Sequence, residues 1–162
     1  MKRPAFTLVE LLVYLGLTSI ALVVFMNFMV GIFANARRAD AAQQLTENGR
    51  LIVTKITQAS RSATGLNDAQ SDYVSDLGKV VLTTLTGITT YDIANINPST
   101  GNIRENGTVI NTNDVVITKF NPAHIGNTLK ITLTIASTAP AGSRPNPLTL
   151  VTTLTPRQAI YQ

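Results

Sequence analysis

Phe6 to Phe33 reads FTLVELLVYLGLTSIALVVFMNFMVGIF, and this stretch decides the architecture. It holds 28 residues and one formal charge, Glu10. As a helix it is ~42 Å long at ~1.5 Å per residue. A bilayer's hydrocarbon core is about 30 Å thick and needs roughly 20 apolar residues. The segment can therefore span a membrane with length to spare. Before it stands a short basic leader, MKRPA, with Lys2 and Arg3. After it the chain turns polar.

Glu10 sits about one turn inside the apolar run. An unpaired carboxylate at the bilayer centre costs roughly 2.5–3.5 kcal/mol on insertion scales, and less near the end of a span. Such a residue is a functional candidate that calls for a cationic partner. The span itself contains no Lys or Arg. The partners on offer are Lys2, Arg3, or a new ammonium created by cleavage before Phe6.

The run Ala5-Phe6-Thr7-Leu8-Val9-Glu10-Leu11-Leu12-Val13 closely resembles the leader of bacterial type IV pilins and pseudopilins. In that family a basic leader ends in a small residue, usually Gly. A prepilin peptidase cuts after it and methylates the new N-terminus, and the fifth residue after the cut is a Glu. The resemblance thus implies cleavage between Ala5 and Phe6, N-methylation of Phe6, and an assembly role for Glu10. It also implies the partners: the peptidase, other pilin or pseudopilin subunits bound through the N-terminal helix, an inner-membrane assembly platform, and membrane lipid. The motif covers about ten residues. Ala5 departs from the usual Gly, and Asn27 stands where many major pilins carry a helix-kinking Pro.

Two plainer readings compete with it. The segment could be an ordinary signal anchor. It could also be a secretory signal peptide, since Ala34-Asn35-Ala36 fits the small-residue cleavage pattern. However, the apolar region of a signal peptide is only about 7–15 residues long. Lys2 and Arg3 on one side against Arg37 and Arg38 on the other leave orientation undecided by charge.

The 162 residues leave about 129 after leader and span, enough for one domain with its own core. The net charge of +4 falls to +2 without Lys2 and Arg3, with 11 basic and 9 acidic residues left. The basic residues after the span are scattered apart from Arg37-Arg38, a membrane-surface flank. Nucleic acid is therefore not an expected partner. With no cysteine, disulfides and Cys-ligated metals are excluded.

Beyond the span, Leu45, Ile52, Ile56, Ala59 and Ala63 recur at helical spacing, widened by Ala41 and Val53. Arg38, Gln44, Glu47, Lys55, Gln58 and Arg61 fall on the opposite face. No Pro interrupts this run. It predicts one helix of nearly 60 residues, with Gly49 a soft spot and Gly65 its C-cap. Asn67–Asp76 reads as a polar loop. Its Asp68, Asp72 and Asp76 make a calcium site conceivable, but EF-hand spacing is absent and a solvated loop is preferred.

From Lys79 the period becomes two. Strands are expected at Lys79–Thr86, Ile88–Ile93, Asn102–Arg104, Val109–Asn111, Val115–Phe120, Thr128–Ala136 and Leu148–Thr155. In Thr128–Ala136, Leu129, Ile131, Leu133 and Ile135 face one way, as in a half-buried antiparallel strand. Asn106-Gly107 signals a two-residue hairpin, a reading preferred over glycosylation of Asn106. Ala139–Pro147 reads as an exposed loop, and Asn121–Gly126 as a turn carrying a surface His124. The element order, from the tyrosine strand Thr89–Ile93 to Thr152–Arg157, loosely resembles minor pilins and minor pseudopilins of the J and W types.

The lone His124 and the absence of nucleophile, zinc, P-loop and dinucleotide motifs support no catalytic residue, no metal site and no cofactor. The expected fold is α+β and pilin-like, a long N-terminal helix packed on a C-terminal antiparallel sheet. Its parts are a leader at 1–5, a transmembrane half-helix at 6–33, an amphipathic half at 34–64 and a β-rich domain at 65–162. The expected function is a structural subunit, minor rather than major, of a type IV pilus or type II secretion pseudopilus. The expected location is the cytoplasmic (inner) membrane with the C-terminal domain outside, then a filament. The alternatives are a major pilin or a membrane-anchored binding domain that never polymerises.

Overall fold

A computed structural model describes residues 7–126 and 128–156. One helix, α1 (Leu8–Ser62), runs unbroken for 55 residues, about 82 Å at ~1.5 Å per residue. Thr7 caps it, its hydroxyl accepting the Glu10 N–H at 3.3 Å. Ser62 ends it, and Ala63, in extended conformation, is the C-cap residue. Gly65 is therefore not the cap. It lies in β1 (Ala63–Leu66), a strand the sequence did not announce.

The remaining strands are β2 (Val80–Thr84), β3 (Gly87–Asn97), β4 (Thr100–Glu105), β5 (Thr108–Val109), β6 (Val115–Ile125), β7 (Thr128–Ser137) and β8 (Leu148–Leu154). They form one antiparallel sheet in the order β1-β2-β3-β4-β6-β7-β8, with β5 paired to β4. The fold is thus α+β, a long apolar-ended helix on an eight-stranded sheet. Asn106 and Gly107, both at positive φ, form the tight turn from β4 to β5. The expected strand at Val109–Asn111 shortens, and Asn111 leaves the ladder.

β6 is longer than the alternation suggested, because a bulge shifts its register between Ile117 and Lys119. Phe120 and Pro122 then return to the face of Val115 and Ile117. The Asn121–Gly126 stretch is therefore strand through Ile125, not a turn. Pro122 is tolerated because β4 pairs with β6 only at Gly101–Ile117, leaving that flank of β6 without a strand neighbour. The β1–β2 loop fills the flank instead. Gly78 donates to the Phe120 carbonyl at 2.8 Å, and Phe120 donates to the Asp76 carbonyl at 2.6 Å.

The core lies between the sheet and the second half of α1. Leu45, Ile52 and Ile56 meet Leu129, Ile131, Leu133 and Ile135 of β7, with Tyr91, Ile103 and Phe120 completing it. The stripe read from the sequence is this face, with Ala59 and Val53 at its half-buried margin.

Candidate functional site

Among the described residues the first half of α1 is almost wholly exposed. From Thr7 to Asp40 every described side chain is exposed apart from Met29, which is half-buried. An apolar run with this exposure is a surface built for lipid or for other helices. Its hydroxyls are satisfied internally. Thr18 donates to the Tyr14 carbonyl at 2.7 Å and Ser19 to the Leu15 carbonyl at 2.8 Å, as a low-dielectric setting requires.

Glu10 is the exception within this surface. Its backbone N–H is capped by Thr7, but its carboxylate has no ion-pair partner among the described residues. The proposed cleavage position Ala5-Phe6, the methylated Phe6 and the leader cations Lys2 and Arg3 lie outside the described residues, as does Arg157.

The second half of α1 is fastened to the sheet by polar side chains as well as by the apolar stripe. Asn48 is buried and bridges to the loop before β6. Its Oδ1 accepts the Thr112 N–H at 3.0 Å and its Nδ2 donates to Thr112 Oγ1 at 3.2 Å. Asn111 organises that loop, accepting from the Ile103 N–H and donating to the carbonyls of Thr112 and Val115.

Further along, Lys55 is not a purely solvent-facing residue. Its Nζ lies 2.8 Å from Glu105 Oε2, and Tyr91 donates to Glu105 Oε1 at 2.5 Å. Lys55 and Tyr91 together hold the Glu105 carboxyl below its ordinary range. Burial first, then Glu105, pushes the Tyr91 phenol far above its own.

Gly49 is not a soft spot but a contact point. A Cβ there would meet Leu150 Cδ1 at 2.8 Å and Ile135 Cδ1 and Leu148 Cδ2 at 3.3 Å. The sequence signal for this was a buried-face glycine at a heptad-like position, which helix propensity alone reads as a weakness.

The acidic loop spends its carboxylates locally. Asp68 faces His124 Nδ1 at 3.0 Å and accepts from the Tyr73 hydroxyl at 2.7 Å. Asp72 accepts from the Ser75 hydroxyl first, then caps the backbone of Val74 and Ser75, contacts that hold its pKa below the usual value. Asp76 pairs with Lys119 at 2.9 Å. Among the described residues no group of three or more His, Cys, Asp or Glu is placed to hold a metal ion.

Comparison with protein-family models, with curated proteins and with solved structures returned no match. The arrangement itself is compatible with a pilin-like fold: an apolar N-terminal helix, able by length and composition to cross a membrane, packed on an antiparallel sheet.

Proposed function

We propose that this chain is a structural subunit of a type IV pilus or type II secretion pseudopilus, assembled through its N-terminal helix. The observation that carries the reading is the division of labour within α1. One continuous helix leaves its apolar first half exposed, apart from the half-buried Met29, and packs its second half on the sheet. A helix that only anchored a binding domain would need no rigid continuation across the domain's whole core.

On this reading the chain waits in the inner membrane with the sheet domain outside, the span from about Phe6 to Phe33 in lipid. Prepilin peptidase cuts before Phe6 and methylates it, and an inner-membrane assembly platform lifts the subunit out. The first half of α1 then exchanges lipid for the same half of neighbouring subunits. Glu10 is the residue that acts in this exchange. In an apolar bundle its carboxylate pairs with the Phe6 ammonium, its own or a neighbour's. Desolvation offsets most of the Coulombic gain, so the pair fixes register more than it adds stability. The protein performs no chemistry of its own.

The test is the N-terminus and intact mass of the protein taken from its native membrane or filaments. N-methyl-Phe6 is expected. An intact Met1 would point to a plain anchor and an N-terminus at Arg37 to a secreted domain, and either would overturn the assembly reading.

A further inference from the structure

Asn27 is out of place in the apolar half of α1. Phe28, Met29, Val30, Ile32 and Phe33 continue the apolar run beyond it, so its amide lies about 9 Å short of the end of that run at ~1.5 Å per residue. The short Asn side chain does not reach that far. Thr18 and Ser19, in the same run, spend their hydroxyls on carbonyls of their own helix. Asn27 is exposed and makes no side-chain hydrogen bond among the described residues. In lipid an amide left so is costly, and a second helix that bonds to it removes the cost.

The surroundings of Asn27 favour close approach of such a helix. Ile20, Val23, Asn27, Gly31 and Ala34 recur at steps of three and four, are all exposed, and share one side of α1. Gly31 stands one turn from Asn27. A Cβ there would meet nothing within 4 Å, so packing inside the chain does not account for a glycine at this position. Its missing side chain lets a second backbone come near.

Depth and chemistry select the partner. Copies of the chain inserted the same way into one bilayer hold Asn27 at the same depth. A carboxamide both donates and accepts, so two of them satisfy each other, whereas an aliphatic helix would leave the amide unpaired. A parallel pair about a two-fold axis brings Asn27 to Asn27 and Gly31 to Gly31, and it closes on itself.

We propose that Asn27 pairs two copies of the chain within the membrane, amide to amide, across the side of α1 that carries Ile20 and Ala34. This rests on the reading that the first half of α1 lies in lipid before assembly. The pair belongs to that stage. A Glu10 that reaches a neighbour's Phe6 needs an axial offset of four residues, about 6 Å, which draws the two amides apart. The pair is thus a stored form that parts as subunits enter a filament.

The absence of native cysteine makes the test clean. Full-length chains carrying Ala34→Cys are oxidised in native membranes. Ala34 shares the Asn27 side at the end of the apolar run, while Ala36, ~2.5 turns from Asn27, falls on the opposite side. A linked dimer is expected from Ala34→Cys and several-fold less from Ala36→Cys. Adding Asn27→Leu or Gly31→Ile should cut the Ala34 product several-fold, and Asn27→Gln, which keeps the amide, should retain most of it. These positions lie outside the packed core, so the unfolding midpoint of the sheet domain should not move. An Ala34 product unchanged by Asn27→Leu would overturn the pairing, as would equal linkage from Ala34→Cys and Ala36→Cys. Neither result touches the assembly reading, which the N-methylation of Phe6 decides. A dimer lost with Asn27→Leu, in a chain that retains Met1, would keep the pairing and remove the assembly reading.

Discussion

At the scale of single residues, the polar groups of the core were the least legible part of the chain. Asn48, Asn111 and Glu105 belong to types that favour the surface; Asn48 does fall on the apolar stripe, between Leu45 and Ile52, but its residue type argues against burial. They are buried or half-buried because each finds partners: Asn48 at the distant Thr112, Glu105 at Lys55 and Tyr91, and Asn111 at the nearby Ile103 and Val115. Periodicity records which residues avoid water, not which polar pairs will meet. Glu105 makes the consequence measurable. Its folded-state pKa lies below the unfolded value, with Lys55 the leading cause and Tyr91 the second. A depressed carboxyl contributes stability above its unfolded pKa, and that contribution is lost as pH falls through the folded value. Stability should therefore decline from about pH 5 downward. Glu105→Gln should lower stability at neutral pH, by about 1–2 kcal/mol for a weakened charge-assisted contact, and flatten the acid limb. Urea unfolding of the protein in detergent at pH 7 and at pH 4 reads both effects. An acid limb as steep in Glu105→Gln as in the parent would assign it to other carboxylates.

Elements were legible where one physical pattern acts alone. The amphipathic stripe of α1 and the alternation of β7 are direct records of one buried face, and both stand as read: Leu129, Ile131, Leu133 and Ile135 are all inside. Misreadings occurred where a second constraint intervened. The bulge in β6 changes which residues share a face, and an alternating pattern cannot report it. β1 is too short to show a period. The tie between the β1–β2 loop and β6 depends on where β4 diverges, a property of the whole sheet. Gly49 is the sharpest case. Propensity makes Ala better than Gly in a helix by about 1 kcal/mol, but here the helix presses its backbone against Leu150, Leu148 and Ile135. Those contacts are ends of flexible side chains, so Gly49→Ala should be nearly neutral as the propensity gain offsets a small displacement. Gly49→Leu cannot be accommodated by such shifts. It should destabilise by about 1–3 kcal/mol, in the range of overpacked cores, by lifting α1 from β7 and β8. Thermal unfolding of the two variants side by side measures the seam, and equal stability of Gly49→Leu and the parent would show that α1 is not held that closely.

For the molecule as a whole, the sequence disclosed one helix of nearly 60 residues with a membrane-length first half and a domain on its second, and the structure has that helix unbroken from Leu8 to Ser62. α1 passes from the exposed segment into the core without a break. On the proposed assembly Glu10 is the residue that sets register; it lies near the start of α1 and its carboxylate has no ion-pair partner among the described residues. In the membrane a carboxylate one turn inside the apolar run can reach the interface, so its removal should not harm insertion; an apolar Ala there lowers the insertion cost, by less than the roughly 2.5–3.5 kcal/mol of a bilayer-centre carboxylate. In a helix bundle the same carboxylate has no water to reach and gains from a cation only at one axial position, so its loss should remove the signal that aligns one subunit with the next. Glu10→Ala is thus expected to leave the amount of membrane-inserted, correctly folded protein unchanged and to cut its incorporation into sheared filaments at least tenfold. Glu10→Asp, which keeps the charge on a shorter arm, should fall between. Because Glu10 lies far along α1 from the packed core, neither change should alter the unfolding midpoint of the sheet domain. Incorporation of Glu10→Ala at the parental level would show that register is set elsewhere on the helix and that the carboxylate serves the membrane stage alone.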